Sequence, residues 1–261
     1  MDHTALIALV GNPNAGKSAL FNALTGARQK VGNYPGVTVE RKIGQMDLDD
    51  GRTIDVVDLP GTYSLDPKSP DEVVTRNAVF GHQSGERAPD VLVIVVDAAN
   101  LDNHLRFALE LIALGRPCVV ALNMVDLATR DGLELDAKRL AEDLGVSVIP
   151  TVAVRRRGLD HLRAAITAAL PEHTAPAPVH IEHADRDEAA LRREARRIAA
   201  RAIVSETPSR RLTARIDRVV LHPVIGPLIL LALLFVIFQA VFSWSEAPIA
   251  MIEETFAALQ T

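Results

Sequence analysis

Asn12, Pro13, Asn14 and Ala15 separate Gly11 from the run Gly16-Lys17-Ser18, a match to G-x-x-x-x-G-K-[ST]. The chemistry that needs this spacing is the wrapping of a polyphosphate. Glycine at each end lets the backbone curl so that successive N–H groups converge on phosphate oxygens, helped by the positive end of the helix that follows. Lys17 is placed to reach the β- and γ-phosphates, and the Ser18 hydroxyl to ligand Mg2+.

Three further motifs follow in chain order. Asp58-Leu59-Pro60-Gly61 closes a candidate strand. A carboxylate there suits the aspartate that holds Mg2+ through a water, and Gly61 can bring its N–H to the γ-phosphate because no side chain intervenes. Between the two motifs, the glycine-rich stretch around Gly36, Val37 and Thr38 reads as a switch segment, with Thr38 either a Mg2+ ligand or a plain strand-start residue. Asn123-Met124-Val-Asp126 closes another strand. Guanine presents N1–H and an exocyclic amine side by side, and the Asp126 carboxylate can accept from both. Adenine lacks that pair, so the carboxylate would be left unpaired and GTP is favoured over ATP. Val152, Ala153 and Val154 stand where a backbone N–H would meet guanine O6.

These residues need a scaffold, and the apolar pattern supplies one. Candidate strands at Leu6–Val10, Val37–Gln45, Ile54–Asp58, Val91–Asp97, Cys118–Asn123 and Val146–Pro150 alternate with helices at Lys17–Leu24, His104–Leu114, Ala137–Leu144 and Leu159–Ala169. A short helix is expected at Asp71–Phe80. The order predicts an α/β fold: a mostly parallel sheet with helices on both faces, as in Ras-like P-loop GTPases. The single Cys118 sits in an apolar run and reads as a buried, inert thiol in a reducing compartment. A net charge of -5 argues against nucleic acid as partner.

Beyond residue 170 the composition shifts. Pro171 to His180 is a Pro-rich linker whose histidines, with His183, read as solvated. Asp187–Val204 is rich in helix formers and carries Arg192, Arg193, Arg196, Arg197 and Arg201, either a solvated face or a contact for anionic headgroups. Val224–Phe242 is apolar apart from Gln239, with Trp244 beyond it and Arg210, Arg211, Arg215 and Arg218 before it. That reads as one transmembrane helix in the lipid bilayer, with the preceding residues on the cytoplasmic side. No signal peptide is expected at the N-terminus. The domains expected are therefore 1–170, a nucleotide-binding G domain; 171–218, a linker and short helical domain; and 219–261, the membrane helix and its flank.

With these motifs in order the chain resembles the ferrous iron transport protein B (FeoB) family. The likeness is carried by Gly11–Ser18, Gly32-Asn-Tyr-Pro-Gly-Val-Thr38-Val-Glu40, Asp58-Leu-Pro-Gly-Thr-Tyr-Ser64, Asn123–Asp126, Arg215-Ile-Asp-Arg218 and His222-Pro223. The resemblance implies a cytosolic GTPase switch on a polytopic bacterial inner-membrane Fe2+ transporter, with GTP and GDP as ligands and a small cytosolic Feo-type protein as partner. By that comparison 171–215 is short, and the chain reads as a piece carrying the first span without the remaining transmembrane part. Ras-type enzymes orient the attacking water with a glutamine after the D-x-x-G glycine; here Thr62 occupies that position, so slow turnover is expected. The resemblance implies a remedy, a K+ ion placed by Asn14, whose bland role would be loop capping. The catalytic set so read is Asn14, Lys17, Thr38 and Gly61. Two other classes stay open: a soluble GTPase of ribosome or tRNA maturation, and a GTP-sensing module with negligible hydrolysis.

Overall fold

The computed structural model describes residues 4–26, 29–34, 39–82, 87–171, 188–206 and 220–244. They fall into two compact units, 1–207 and 208–261.

The first unit is built on a seven-stranded sheet. Its strands are β1 (Leu6–Gly11), β2 (Gln29–Asn33), β3 (Glu40–Asp47), β4 (Thr53–Asp58), β5 (Val91–Asp97), β6 (Cys118–Asn123) and β8 (Ser147–Pro150). They lie in the order β2-β3-β4-β1-β5-β6-β8. β1 runs parallel to β4 and β5, and β6 parallel to β5 and β8, whereas β2, β3 and β4 pair antiparallel. β5 reads Val-Leu-Val-Ile-Val-Val-Asp and is buried along almost its whole length. Such an unbroken apolar run is what a parallel strand covered on both faces requires.

Helices α1 (Lys17–Thr25) and α6 (Leu159–Ala169) cover one face with Leu20, Phe21, Leu162 and Ile166. The other face takes α2 (Pro70–Phe80), α3 (Leu101–Ile112) and α5 (Ala137–Leu144), through Val74, Val79, Leu105, Phe107, Leu111 and Leu140. Local chemistry sets the helix ends. Ser69 caps α2 by accepting from the Glu72 N–H, Pro70 opens it, and Gly81 closes it at φ 72°. Asp136 caps α5 by accepting from the Lys138 and Arg139 N–H groups.

Some elements depart from the sequence pattern. α3 begins at Leu101, ahead of the expected His104, because a 3-10 turn at Ala98–Asn100 leads straight into it. The polar, mostly exposed β2 has no periodicity to reveal it and exists by pairing with β3. α4 (Val125–Arg130) is too short for a 3.6-residue pattern to register. The stretch expected to be helical from Asp187 gives α7 (Glu188–Ala202) and then β9 (Ile203–Glu206). α7 buries Ala195, Ile198, Ala199 and Ala202 in the first unit's core, and β9 pairs antiparallel with β7 (Leu133–Leu135). The described part of 171–218 is thus integral to the unit that holds the nucleotide motifs. Three of its arginines find carboxylates close by: Arg192 with Glu188 at 2.7 Å, Arg197 with Glu194 and Arg201 with Asp143 at 3.1 Å. The linker histidines and Arg210–Arg218 lie outside the described residues.

In the second unit, α8 (Ile225–Gln239) continues into a π-helical turn at Ala240–Trp244. Residues 225–242 are long and apolar enough to cross a membrane, and none of that stretch is buried. As helix, 18 residues span about 27 Å, close to the ~30 Å hydrocarbon core of a bilayer.

Cys118 opens β6, and burial pushes its thiol up to about 11. At pH 8 the native chain should therefore react with iodoacetamide at least about tenfold more slowly than the urea-unfolded chain, whose thiol titrates at about 8.5. Equal rates would show that β6 is not packed as described.

Candidate functional site

The motifs meet along one edge of the sheet, where β1, β4, β6 and β8 end. The turn from β1 into α1 is shaped by its own ammonium: Lys17 Nζ donates to the Gly11 carbonyl at 3.1 Å and the Asn12 carbonyl at 2.9 Å. Gly16 sits at φ 87°, and a Cβ there would fall 2.3 Å from Asn123 Nδ2, so both its dihedral and its neighbour demand glycine. Asn14 holds φ 64°, a left-handed conformation that asparagine tolerates better than most residues, and its side chain is exposed. Asn12 and Ala15 are buried, and Pro13 is half-buried.

Ser18 Oγ donates to Asp58 Oδ2 at 2.8 Å, bringing the two expected Mg2+ residues together. The other carboxylate oxygen, Oδ1, is buried with no hydrogen-bond partner among the described residues. An orphaned buried acceptor beside a hydroxyl is what a metal-bound water would satisfy, so these residues fit Mg2+. Burial raises the Asp58 carboxyl above its ordinary range, opposed by the Ser18 hydrogen bond and by Lys17 and Lys42. Burial lowers Lys17 from its ordinary value, with Asp58 pulling the other way. Each charge eases the burial of the other.

Leu59 is buried, Pro60 half-buried, and the Pro60 carbonyl accepts from Thr75 Oγ1 at 2.9 Å. A Cβ on Gly61 would meet Lys17 Nζ and the Pro13 backbone at 3.0 Å, so this turn passes against the phosphate loop. Thr62 turns inward. Its hydroxyl lies 2.8 Å from the Ser64 carbonyl and 3.2 Å from Glu72 Oε1, and it is 1% exposed. A group so placed holds the loop.

The base-reading motif has a second task. Asn123 Nδ2 donates to the Ala15 carbonyl at 3.1 Å, and its Oδ1 accepts from the Ala153 N–H at 3.1 Å. Asn123 therefore ties the phosphate loop to the loop after β8. Met124, at φ 61°, turns the chain so that Asp126 falls in the first turn of α4. There Arg155 Nη1 lies 3.6 Å from Asp126 Oδ2. Val152 and Ala153 are buried, whereas Val154 is exposed. Gly36, Val37 and Thr38 lie outside the described residues.

Sequence reasoning missed a second layer. Glu110 of α3 accepts from the Leu65 N–H at 2.9 Å and from Ser64 Oγ at 3.2 Å. Arg106, one turn earlier, donates to the Tyr63 carbonyl and pairs with Glu188 of α7 at 2.8 Å. The i,i+4 spacing of Arg106 and Glu110 was visible, but not the loop they would meet.

Residues 5–166 match the sequence profile of ferrous iron transport protein B. The chain belongs to that family. The Fe(2+) transporter FeoB of Escherichia coli strain K12 is 48% identical over 164 residues, covering 61% of this chain and 20% of the relative. The chain thus spans a fifth of the length of such FeoB relatives. Among solved structures, the cytosolic domain of L. pneumophila FeoB is 41% identical with TM-score 0.59, covering 67% of this chain and 66% of that one. The cytosolic domain of T. maritima FeoB in its GMPPNP form is 37% identical with TM-score 0.60, covering 65% of each chain. A point mutant of S. thermophilus NFeoB bound to GDP is 40% identical with TM-score 0.59, covering 67% of this chain and 64% of that one.

Asn123→Ala removes a donor from the Ala15 carbonyl and an acceptor from the Ala153 N–H, both in buried hydrogen bonds. It should destabilise the chain by about 2 to 4 kcal/mol in chemical denaturation. A loss under about 0.5 kcal/mol, the level of a plain surface change, would refute the tie.

Proposed function

We propose that this chain is the GTP-binding and GTP-hydrolysing switch of a membrane ferrous iron transporter, on the cytosolic face of a bacterial inner membrane. One observation carries the reading: Lys17, the Ser18–Asp58 pair and the Asn123–Ala153 tie converge at one sheet edge. The relatives' names support iron as the cargo, and the GMPPNP and GDP forms of the solved neighbours support GTP and GDP as ligands.

In this reading Gly11–Ser18 wraps the phosphates, and Lys17 exchanges its two carbonyl partners for β- and γ-phosphate oxygens. Ser18, Thr38 and, through water, Asp58 would hold Mg2+, which when bound would supply positive charge against those oxygens. Gly36, Val37 and Thr38 are the switch segment of this reading, and Gly61 donates its N–H to the γ-phosphate. Asp126 accepts from guanine N1–H and the amine, leaving Arg155 to do so. Met124 and Val152–Val154 line the base, and the Ala153–Asn123 bond steadies that wall. With the Thr62 hydroxyl engaged elsewhere, turnover would be slow, and a K+ ion, which Asn14 would hold, would supply further positive charge there. Residues 1–170 bind nucleotide, 171–218 link and brace, and 219–261 carry the first membrane helix. The remaining transmembrane part and a small cytosolic Feo-type protein are the partners.

Three comparisons test this reading. GTP and GDP should bind and ATP should not, and Asp126→Asn should lose that preference; undiminished GTP affinity in the variant overturns the base assignment. Lys17→Ala should abolish tight triphosphate binding with the fold intact, measured with a fluorescent analogue. Hydrolysis should be faster in KCl than in NaCl, and Asn14→Ala should erase that difference, whereas Thr62→Ala should slow turnover by less than about tenfold, the scale of one neutral hydrogen bond. Equal wild-type rates in both salts would remove K+ from the mechanism.

A further inference from the structure

A cavity of about 610 Å3 opens beside the phosphate loop. Asn12, Pro13 and Asn14 line it together with Tyr63, the start of α3, and Arg192 and Arg196 of α7. The two arginines stand four residues apart and so share one face of the helix. Their circumstances differ. Arg192 is held by Glu188 at 2.7 Å, and Glu188 also holds Arg106. Among the described residues no carboxylate lies within ion-pairing distance of Arg196. The cavity's own carboxylates are satisfied in other ways: Asp97 accepts from the Ala99 N–H at 2.8 Å, and Asp102 lies in the first turn of α3, where the helix dipole favours negative charge. Burial lowers His104 from its ordinary value, and its Nδ1 accepts from the Asp97 N–H at 3.2 Å.

The helix that carries Arg196 is anchored on both sides of it, and Arg196 itself is exposed. Ala195, Ile198 and Ala199 beside it are buried, Arg201 pairs with Asp143, and the Ala202 carbonyl accepts from the Asp136 N–H at 2.9 Å. Arg196 also lines a neighbouring cavity of about 270 Å3, so it has room to move between the two.

We infer that Arg196 is a guanidinium supplied by the chain itself to the phosphate end of the nucleotide site, acting on the GTP hydrolysis proposed above and resting on that reading. In that reaction a water oxygen bonds to the γ-phosphorus and the bond to the β,γ-bridging oxygen breaks. GDP leaves with that electron pair, and the water's proton passes to the phosphate formed. Negative charge spreads over the γ-phosphoryl oxygens and the bridging oxygen as this happens, and a guanidinium swung onto those oxygens lowers the barrier. Arg196 does so without an external partner protein, and it sets the basal rate on which the K+ response is superimposed.

The test is single-turnover hydrolysis by the full chain in detergent, in NaCl and in KCl, beside affinity for a fluorescent non-hydrolysable GTP analogue. Arg196→Ala should slow hydrolysis about 10²-fold in both salts, the loss typical for one charge-stabilising group, with analogue affinity kept within about twofold. Added guanidinium ion should restore part of the rate to Arg196→Ala without accelerating the wild type, and Arg196→Lys should hydrolyse at an intermediate rate. An Arg196→Ala rate equal to wild type overturns the inference while leaving the nucleotide reading intact. A rate loss matched by an equal loss of analogue affinity and no rescue also overturns it, in favour of a structural role. A wild-type chain that binds no analogue overturns the nucleotide reading and this inference with it.

Discussion

The carboxamide of Asn123 is almost fully buried at the end of β6, and both its ends are engaged. Its amino group holds the Ala15 carbonyl, and its oxygen holds the Ala153 N–H. A neutral amide is the side chain that can donate and accept at once in so dry a place; a carboxylate would meet a carbonyl, and a lysine would leave the Ala153 N–H unpaired. The shapes of the loop before α1 and of the loop after β8 thus depend on one residue. Gly16 must lack a side chain for the same reason, since any Cβ there would crowd the Asn123 nitrogen.

A second set of bonds works on the chain after Gly61. Thr62 is bonded to Ser64 and Glu72, Ser64 and Leu65 to Glu110, and Tyr63 to Arg106. Arg106 in turn pairs with Glu188. The Glu110 carboxyl sits above its ordinary range because burial outweighs the donors it receives. A loop held by charged groups on helices can be released by moving those helices, whereas a loop packed by apolar groups alone would have no such specific partners. The contacts run from the end of β4 through α3 to α7, all within the first unit.

The helix of the second unit presents apolar side chains outward. Leu228, Leu230, Leu231, Phe235 and Phe238 are all more than half exposed. Each such side chain is worth roughly 1.5–3 kcal/mol when moved out of water, so a helix of this composition is stable where hydrocarbon surrounds it. The first unit shows the opposite pattern, with its apolar residues inside and most of its charged groups at the surface.

The sequence alone determined the Gly11–Ser18, Asp58 and Asn123 motifs, most strands and the apolar segment, because each of these is encoded in neighbouring residues: a spacing, an alternation or a run. The parallel sheet followed from the order of those runs. Tertiary structure alone decided the rest. β2 has no apolar pattern and exists through its pairing with β3; β7 needs β9, which lies far along the chain beyond α7. That Thr62 would face inward, that Glu110 would meet Leu65, and that Arg196 would line a cavity with Asn14 are facts about residues brought together from distant positions. No local spacing encodes such meetings, since they depend on how α7 packs on α3 and α5.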